Sequence, residues 1–231
     1  MTAAGLFLAL RGRRAEARPA GVRQAARAVA LVLLLAGAAV PGTYAAEPIH
    51  VPARWKITLA NAGLRTFGLD APLARFAAQV HAESSWRPTA ESPYAVGLAQ
   101  FTPATAEWMA DLYPHLRPAA PWDPEWSLRA LVAYNHWLHE RMGSFARPAD
   151  RWAATLAGYV GGPGWVYREQ RVAAAAGDPA DRWWRGVARH CLRADWACRD
   201  SRAYPDKILC RLEPAYARAG WRGQPLEGAC P

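Results

Sequence analysis

The feature that most constrains the fold is an apolar stripe at helical spacing within residues 70–84. Leu73, Phe76 and Val80 recur every three or four positions, which places them on one face of an α-helix. Asp70 stands just before this stripe, and we expect its side chain to cap the helix because Asp is favoured at that position. The helix is expected to end near residue 84.

Similar signals predict further helices along the chain. A short helix is expected within residues 47–69, and others over 102–112, from 123 onward, and over 149–159, 165–176, 183–190 and 204–219. No sustained alternation of polar and apolar residues predicts a β-strand. The sequence therefore predicts an all-α fold in one domain.

Glu83 is a carboxylate on the apolar face of the first of these helices. It follows Val80 by three positions and Phe76 by seven, so the helix turns it toward the core. It also stands in the last turn, where the helix dipole disfavours a negative charge. Burial and dipole both favour the protonated carboxyl, which indicates a general acid. The alternative is a Glu at a frayed helix end that faces water.

Short motifs follow Glu83 in a fixed order. They are Glu83-Ser84, Gly97-Leu98-Ala99-Gln100, Pro103-Ala104-Thr105-Ala106 and, further on, Gly158-Tyr159-Val160-Gly161. This set resembles the soluble lytic transglycosylase family, and the sequence of the loop is similar to that of phage-type or mobile-element members. The resemblance implies a lysozyme-like helical domain over residues 46–231, with a catalytic core at about 70–175. Such a domain would cleave the β-1,4 bond between N-acetylmuramic acid and N-acetylglucosamine without water, leaving a 1,6-anhydro end.

The resemblance also implies roles for single residues. Glu83 would protonate the glycosidic oxygen and then act as the base on the C6 hydroxyl. Substrate-binding residues would be Ser84, Gly97, Leu98, Gln100, Tyr159 and Tyr204. The chain departs from the family at Ala99 and Val160, where the family has Met and Asn. A second Ala-Tyr-Asn string at 133–135 lies in mid-helix without a Gly-rich turn, and we interpret it as a chance match.

The carboxylates near Glu83 bear on the mechanism. A two-carboxylate glycosidase needs a partner roughly 5 to 9.5 Å from the first. Within the motif region Glu91 is the available partner, in a Pro/Ser loop, while Asp111, Asp123 and Glu125 stand at helix ends, where capping explains them. This favours a single acid. The alternatives are a hydrolytic muramidase or phage-type endolysin, and an inactive peptidoglycan-binding protein on the same fold.

The first 45 residues have the pattern of a signal peptide. A basic stretch over 1–27 precedes an apolar stretch over 28–40, and Thr43-Tyr44-Ala45 places small residues where a signal peptidase cleaves. The sequence predicts export, to the periplasm, with membrane contact through this segment alone. An uncleaved anchor is the alternative.

Four cysteines stand late in the chain, in its C-terminal part at about residues 176–231, which we expect to be helical and to contain the disulfides. They are Cys191, Cys198, Cys210 and Cys230. An even number in an exported chain indicates two disulfides. Three pairings are possible, and the short loops favour Cys191–Cys198 with Cys210–Cys230. A zinc site is the alternative, but the spacing contains no paired C-x-x-C.

Net charge and composition bear on which kind of polymer the protein binds. The formal net charge is +9, of which residues 1–45 contribute +5 through six arginines and one glutamate, leaving +4 for the rest. No basic run remains there, so nucleic-acid binding is not expected, whereas peptidoglycan glycan strands suit a mildly basic protein. Aromatic residues that can stack on sugar rings in the cleft are Trp86, Tyr94, Phe101 and Trp165. No metal-binding motif is present, and we expect neither a metal nor another cofactor.

Overall fold

The computed structural model describes residues 51–229 of the chain. The α-helices in this part are α1 (Ala53–Phe67), α2 (Leu73–Ser84), α3 (Pro103–Leu112), α4 (Pro124–Arg141), α5 (Pro148–Gly161), α6 (Pro163–Ala175), α7 (Asp195–Asp206) and α8 (Glu213–Arg218). Between residues 51 and 229 there is no β-strand, and the loop after α2 contains two isolated bridges. The all-α prediction is confirmed.

Two helices begin where local capping chemistry predicts. The Thr102 hydroxyl accepts a hydrogen bond from the Thr105 backbone N–H at 3.1 Å, at the start of α3. The Asp123 carboxylate accepts one from the Trp126 N–H at 2.6 Å, at the start of α4. Each helix has Pro as its first residue, where the missing N–H costs nothing.

Helix α2 is central to the domain and is buried on almost every side. Its polar residues Arg75 and Gln79 are buried along with its apolar ones. The Arg75 guanidinium donates two hydrogen bonds to the Glu213 carboxylate of α8, at 2.7 and 3.0 Å. The Asn135 amide of α4 donates to the Gln79 oxygen at 2.7 Å. Specific partners therefore allow polar side chains into the core.

The start of α2 differs from the prediction. Asp70 lies in a short 3₁₀ turn, Gly68–Asp70. The residue before α2 is Pro72, which makes no side-chain capping bond. The predicted Asp70 cap is wrong.

Residues 183–190 form turns rather than the predicted helix, apart from the 3₁₀ turn Val187–Arg189. The Trp183 indole is fully buried, and its backbone N–H donates to the Asp150 carboxylate at 2.8 Å. A Cβ on Gly186 would lie 1.8 Å from the Pro179 carbonyl oxygen, so the chain folds back too tightly for a larger residue. Tertiary contacts override the helical pattern here.

The last helical segment begins earlier than predicted. Helix α7 starts at Asp195, passes into the π-helical segment Lys207–Leu212 and continues as α8. Pro205 and Pro214 each lack a backbone N–H and crowd the preceding turn. The wider π-helical segment lies between these two prolines. This segment packs against α2, and α7 packs against α5.

The C-terminal part contains the predicted Cys191–Cys198 disulfide, with Cα atoms 5.9 Å apart. The bond excludes those two thiolates as zinc ligands. Cys210 is also disulfide-bonded, while Cys230 lies outside the described residues. The predicted signal peptide over 1–45 lies outside them too. None of the helices from residue 51 to 229 combines the length and the hydropathy that a bilayer-spanning helix requires.

Candidate active site

An open pocket of about 350 Å³ lies where α2 ends, bounded by the following loop and by α3, α4 and α5. It is lined by Glu83, Ser92, Tyr94, Ala95, Gln100, Phe101, Thr102, Thr105, Tyr134, Tyr159 and Val160. Aromatic and small polar side chains dominate this lining, as is usual where a protein binds a small organic group. Within the described part of the chain, Glu83 is the one carboxylate that lines the pocket.

The end of α2 positions Glu83. The helix stops at Ser84 because Ser85 adopts a left-handed backbone, φ 52°, and donates its N–H to the His81 carbonyl. Glu83 thus occupies the last turn, as predicted, partly exposed at the pocket. The chain leaves the helix immediately afterward, and the carboxyl group lies in the pocket lining.

Burial raises the pKa of Glu83 from its ordinary value of 4.5 to about 7. The Tyr204 hydroxyl donates a hydrogen bond to Glu83 Oε1, which lowers this pKa because it favours the charged carboxylate. The positive charge of Lys207 lowers it further. Burial outweighs both effects. The group therefore exchanges a proton near neutral pH, which is what a general acid that later acts as a base requires.

Two partly buried tyrosines, Tyr159 and Tyr204, lie near the carboxyl group. Burial and the nearby charge of Glu83 raise the pKa of Tyr159 and of Tyr204 well above 10, so both hydroxyls remain donors. Tyr204 of α7 donates to Glu83 itself. Tyr159 of α5 donates to the Ala99 carbonyl at 2.8 Å. Tyr204 therefore orients the acid, and Tyr159 ties the loop to the pocket wall.

Ser84 and Leu98 do not contact the pocket. The Ser84 hydroxyl is buried and donates to the Leu98 carbonyl at 2.9 Å and to the Val80 carbonyl at 3.2 Å. The Leu98 side chain is fully buried in the core. Neither side chain is among those that line the pocket, and their substrate-binding roles stay predictions. Their hydrogen bond fastens the loop to the end of α2.

Gly97 and Gln100 close the same loop. Gly97 has φ +76°, and a Cβ there would lie 2.0 Å from the Pro121 carbonyl oxygen. It makes room for the neighbouring loop and is not among the residues that line the pocket. Gln100 does line the pocket, but its amide nitrogen donates to the Ala90 and Gly97 carbonyls at 3.1 and 3.0 Å. Gln100 has a left-handed backbone, φ 49°. This conformation is strained for a residue other than glycine, and such strain is common at functional sites.

Tyr134 is a pocket residue that the sequence reasoning missed. It belongs to the Ala-Tyr-Asn string interpreted as a chance match, yet it lines the pocket from the middle of α4. Its ring centroid lies 5.2 Å from that of Tyr159. Of the aromatic residues expected in the cleft, Tyr94 and Phe101 line the pocket, whereas Trp86 is buried in the core.

The other carboxylates near the motif have different environments. Glu91 is exposed on the loop after α2, and Asp123 caps α4. From residue 51 to 229 there is no group of three or more His, Cys, Asp or Glu side chains placed to hold a metal ion. The chemistry that the pocket itself offers is acid–base chemistry by one carboxyl group.

Comparison with known proteins identifies the family. Residues 59–180, more than half of the chain, match the family described as the Transglycosylase SLT domain. The chain belongs to this family. The matched SLT domain region contains Glu83, the loop that follows it and Tyr159, and it ends before Tyr204. The resemblance drawn from the motifs is therefore confirmed.

Two relatives of the SLT domain illustrate the match. The membrane-bound lytic murein transglycosylase F of Pasteurella multocida (strain Pm70) is 35% identical over 108 residues, which cover 46% of this chain and 20% of the relative. The 70 kDa soluble lytic transglycosylase of Escherichia coli has a similar fold, with a TM-score of 0.55 and 21% identity over 73% of this chain and 26% of that chain. The chain thus spans about a fifth to a quarter of the length of these proteins.

Proposed function

We propose that this SLT domain is a peptidoglycan lytic transglycosylase with Glu83 as its one acid–base residue. The observation that carries the proposal is a carboxyl group with a pKa of about 7, set in an open aromatic pocket and bonded by the Tyr204 hydroxyl. Membership of the Transglycosylase SLT domain family supports the reaction class. The name of the Pasteurella multocida relative, a lytic murein transglycosylase, supports murein, the peptidoglycan of the bacterial wall, as the substrate.

The proposed reaction uses Glu83 twice, first as an acid and then as a base. Protonated Glu83 gives its proton to the oxygen of the β-1,4 bond, and the bond from this oxygen to C1 of N-acetylmuramic acid breaks. Positive charge develops at C1 beside the new carboxylate. The carboxylate then takes the proton of the C6 hydroxyl of the same sugar, whose oxygen bonds to C1. The product is a 1,6-anhydro end, Glu83 is protonated again, and no water is consumed.

The surroundings of Glu83 support internal attack over hydrolysis. A hydrolytic glycosidase of the usual kind needs a second carboxylate, either as nucleophile or to activate water. Within residues 51–229 the pocket lining includes no such group beside Glu83. The Tyr204 hydroxyl, which stabilises the carboxylate form, assists the step in which Glu83 gives up its proton.

The test is product analysis in oxygen-18 water. Purified peptidoglycan is digested with the wild-type chain, and the released muropeptides are analysed by mass spectrometry. We expect 1,6-anhydro ends that carry no oxygen-18, since water takes no part. Reducing ends that carry oxygen-18 would instead establish a hydrolytic muramidase.

Two variants assign the acid. Glu83→Gln is expected to lose at least about 99% of the activity, because an amide cannot donate the proton. Glu91→Gln, an exposed position on the adjacent loop, is the matched control and is expected to retain activity. Cleavage by folded Glu83→Gln at the wild-type rate would refute the assignment.

We also propose that the protein is exported, to the periplasm. The basic and apolar stretches within residues 1–45 support this, as does the Cys191–Cys198 disulfide, since disulfides persist in oxidising compartments. The test is cell fractionation with N-terminal sequencing of the recovered protein. Recovery in the periplasm with Ala46 as the first residue is expected, and recovery in the cytoplasm with residues 1–45 retained would refute the proposal.

A further inference from the structure

Two tryptophans lie one helical turn beyond the pocket. On α3, Trp108 follows the pocket residue Thr105 by three positions, and on α4, Trp137 follows the pocket residue Tyr134 by three. Residues three apart share a helix face. The ring centroids of Trp108 and Trp137 are 4.9 Å apart, and those of Trp108 and Tyr134 are 5.9 Å apart. The aromatic wall of the pocket therefore continues onto this pair.

The pair is accessible from solvent. Trp108 is 38% exposed, and Trp137 is partly exposed. The Arg141 guanidinium carbon lies over the Trp137 ring, 3.8 Å from its centroid, and covers one face of it. Trp108 is therefore the more open indole of the pair, and Glu107 is exposed beside it. An apolar surface with a polar rim marks an interaction site, and an indole that packs edge-on against its neighbour leaves ring surface for a ligand.

We propose that Trp108 and Trp137 form a distal saccharide subsite, which binds a further sugar of the glycan strand held at Glu83. The identity of the ligand rests on the proposed function. A pyranose ring has a face of C–H bonds that packs on an indole ring while its hydroxyls stay hydrated. The subsite adjoins the pocket through Thr105 and Tyr134, and a glycan strand is long enough to occupy both.

Exposure alone does not make a tryptophan part of the subsite, because the indole must also adjoin the pocket. Trp196 on α7 is 64% exposed, more than Trp108, but it does not line the pocket and makes no ring contact with a residue that does. Trp196 is therefore the matched control for removing an exposed indole.

The experiment measures binding of short and long glycans to the inactive Glu83→Gln chain. Isothermal titration calorimetry is used with the trimer and the hexamer of β-1,4-linked N-acetylglucosamine. Trp108→Ala is expected to weaken hexamer binding about fivefold to tenfold, a size typical of truncating a Trp that carries binding energy. Trimer binding is expected to weaken less, because a three-sugar strand can occupy the pocket in positions that leave Trp108 uncovered. Trp196→Ala is expected to change neither affinity.

Further variants separate the subsite from a structural role. Trp108→Phe keeps an aromatic ring and is expected to recover most of the hexamer affinity, while circular dichroism verifies the fold of each variant. Equal hexamer affinity in Trp108→Ala and its parent would overturn the subsite, as would an equal loss for trimer and hexamer or no hexamer binding at all. A wild-type chain that fails to cleave peptidoglycan refutes the proposed function, but a length-dependent loss in Trp108→Ala would still establish the subsite.

Discussion

Replacing Glu83 by Gln should stabilise the protein at alkaline pH while abolishing its activity. Burial raises the pKa of Glu83 from 4.5 to about 7, so the folded state binds a proton that the unfolded state releases at neutral pH. The contribution of protonated Glu83 to the free energy of unfolding is therefore fully present below about pH 4.5 and is lost as the pH rises through about 7. Gln is neutral throughout and escapes this loss.

The size of the effect follows from the pKa difference. Each pKa unit corresponds to 1.36 kcal/mol, so the rise from 4.5 to about 7 amounts to about 3 kcal/mol above pH 8. The partial exposure of Glu83 makes this an upper figure. For a domain of this size, such a gain raises the melting temperature by roughly 6 to 12 °C.

The assay is urea denaturation of the wild type and Glu83→Gln at pH 5 and pH 8, followed by circular dichroism. The free energy of unfolding of Glu83→Gln should exceed that of the wild type at pH 8 by about 2 to 3 kcal/mol, and the difference should shrink markedly at pH 5. Glu91→Gln, on the exposed loop, should show no such pH-dependent difference. A constant difference between wild type and Glu83→Gln at both pH values would refute the claim that burial holds the carboxyl group protonated.

Two further predictions concern the polar contacts of helix α2. Tyr204→Phe removes the donor to the carboxylate, so the pKa of Glu83 should rise and the alkaline limb of the pH–activity profile should move up by about one unit. Tyr134→Phe, also in the pocket, should leave that limb in place, and an unmoved limb in both variants would contradict the role of Tyr204. Arg75→Met leaves the buried Glu213 carboxylate unpaired and should lower the free energy of unfolding at pH 7 by about 3 to 5 kcal/mol. Replacing Glu213 by Leu in the same chain should recover most of this loss, and failure to recover would show that Arg75 acts by packing instead.

The sequence predicts helices well where the interactions that define them are local. Thr102 and Asp123 accept hydrogen bonds from backbone groups three residues ahead, and a reader of the sequence sees both partners. Residues 183–190 show the opposite case. Their helical pattern is overridden because the Trp183 N–H bonds to Asp150, 33 residues earlier in the chain.

The pocket residues also include some that the sequence predicts and some that depend on tertiary packing. Helical phase alone identifies Glu83 as a carboxyl group turned toward the core, and the motifs point to Gln100, Tyr159 and Tyr204. The sequence does not reveal that Leu98 is buried instead of facing a ligand. Which side of the loop faces the pocket depends on how the whole loop packs against the end of α2.

What the sequence determined by itself is therefore the all-α class, the starts of α3 and α4, the family and the position of the acid on its helix. Tertiary structure decided the surroundings of that acid. Tyr204, 121 residues further along the chain, donates to Glu83, and Tyr134 reaches the pocket from the middle of α4. Capping and periodicity involve neighbours within one helical turn, which a sequence displays directly. The pKa of Glu83 depends on burial by distant helices, and these become its neighbours when the chain folds.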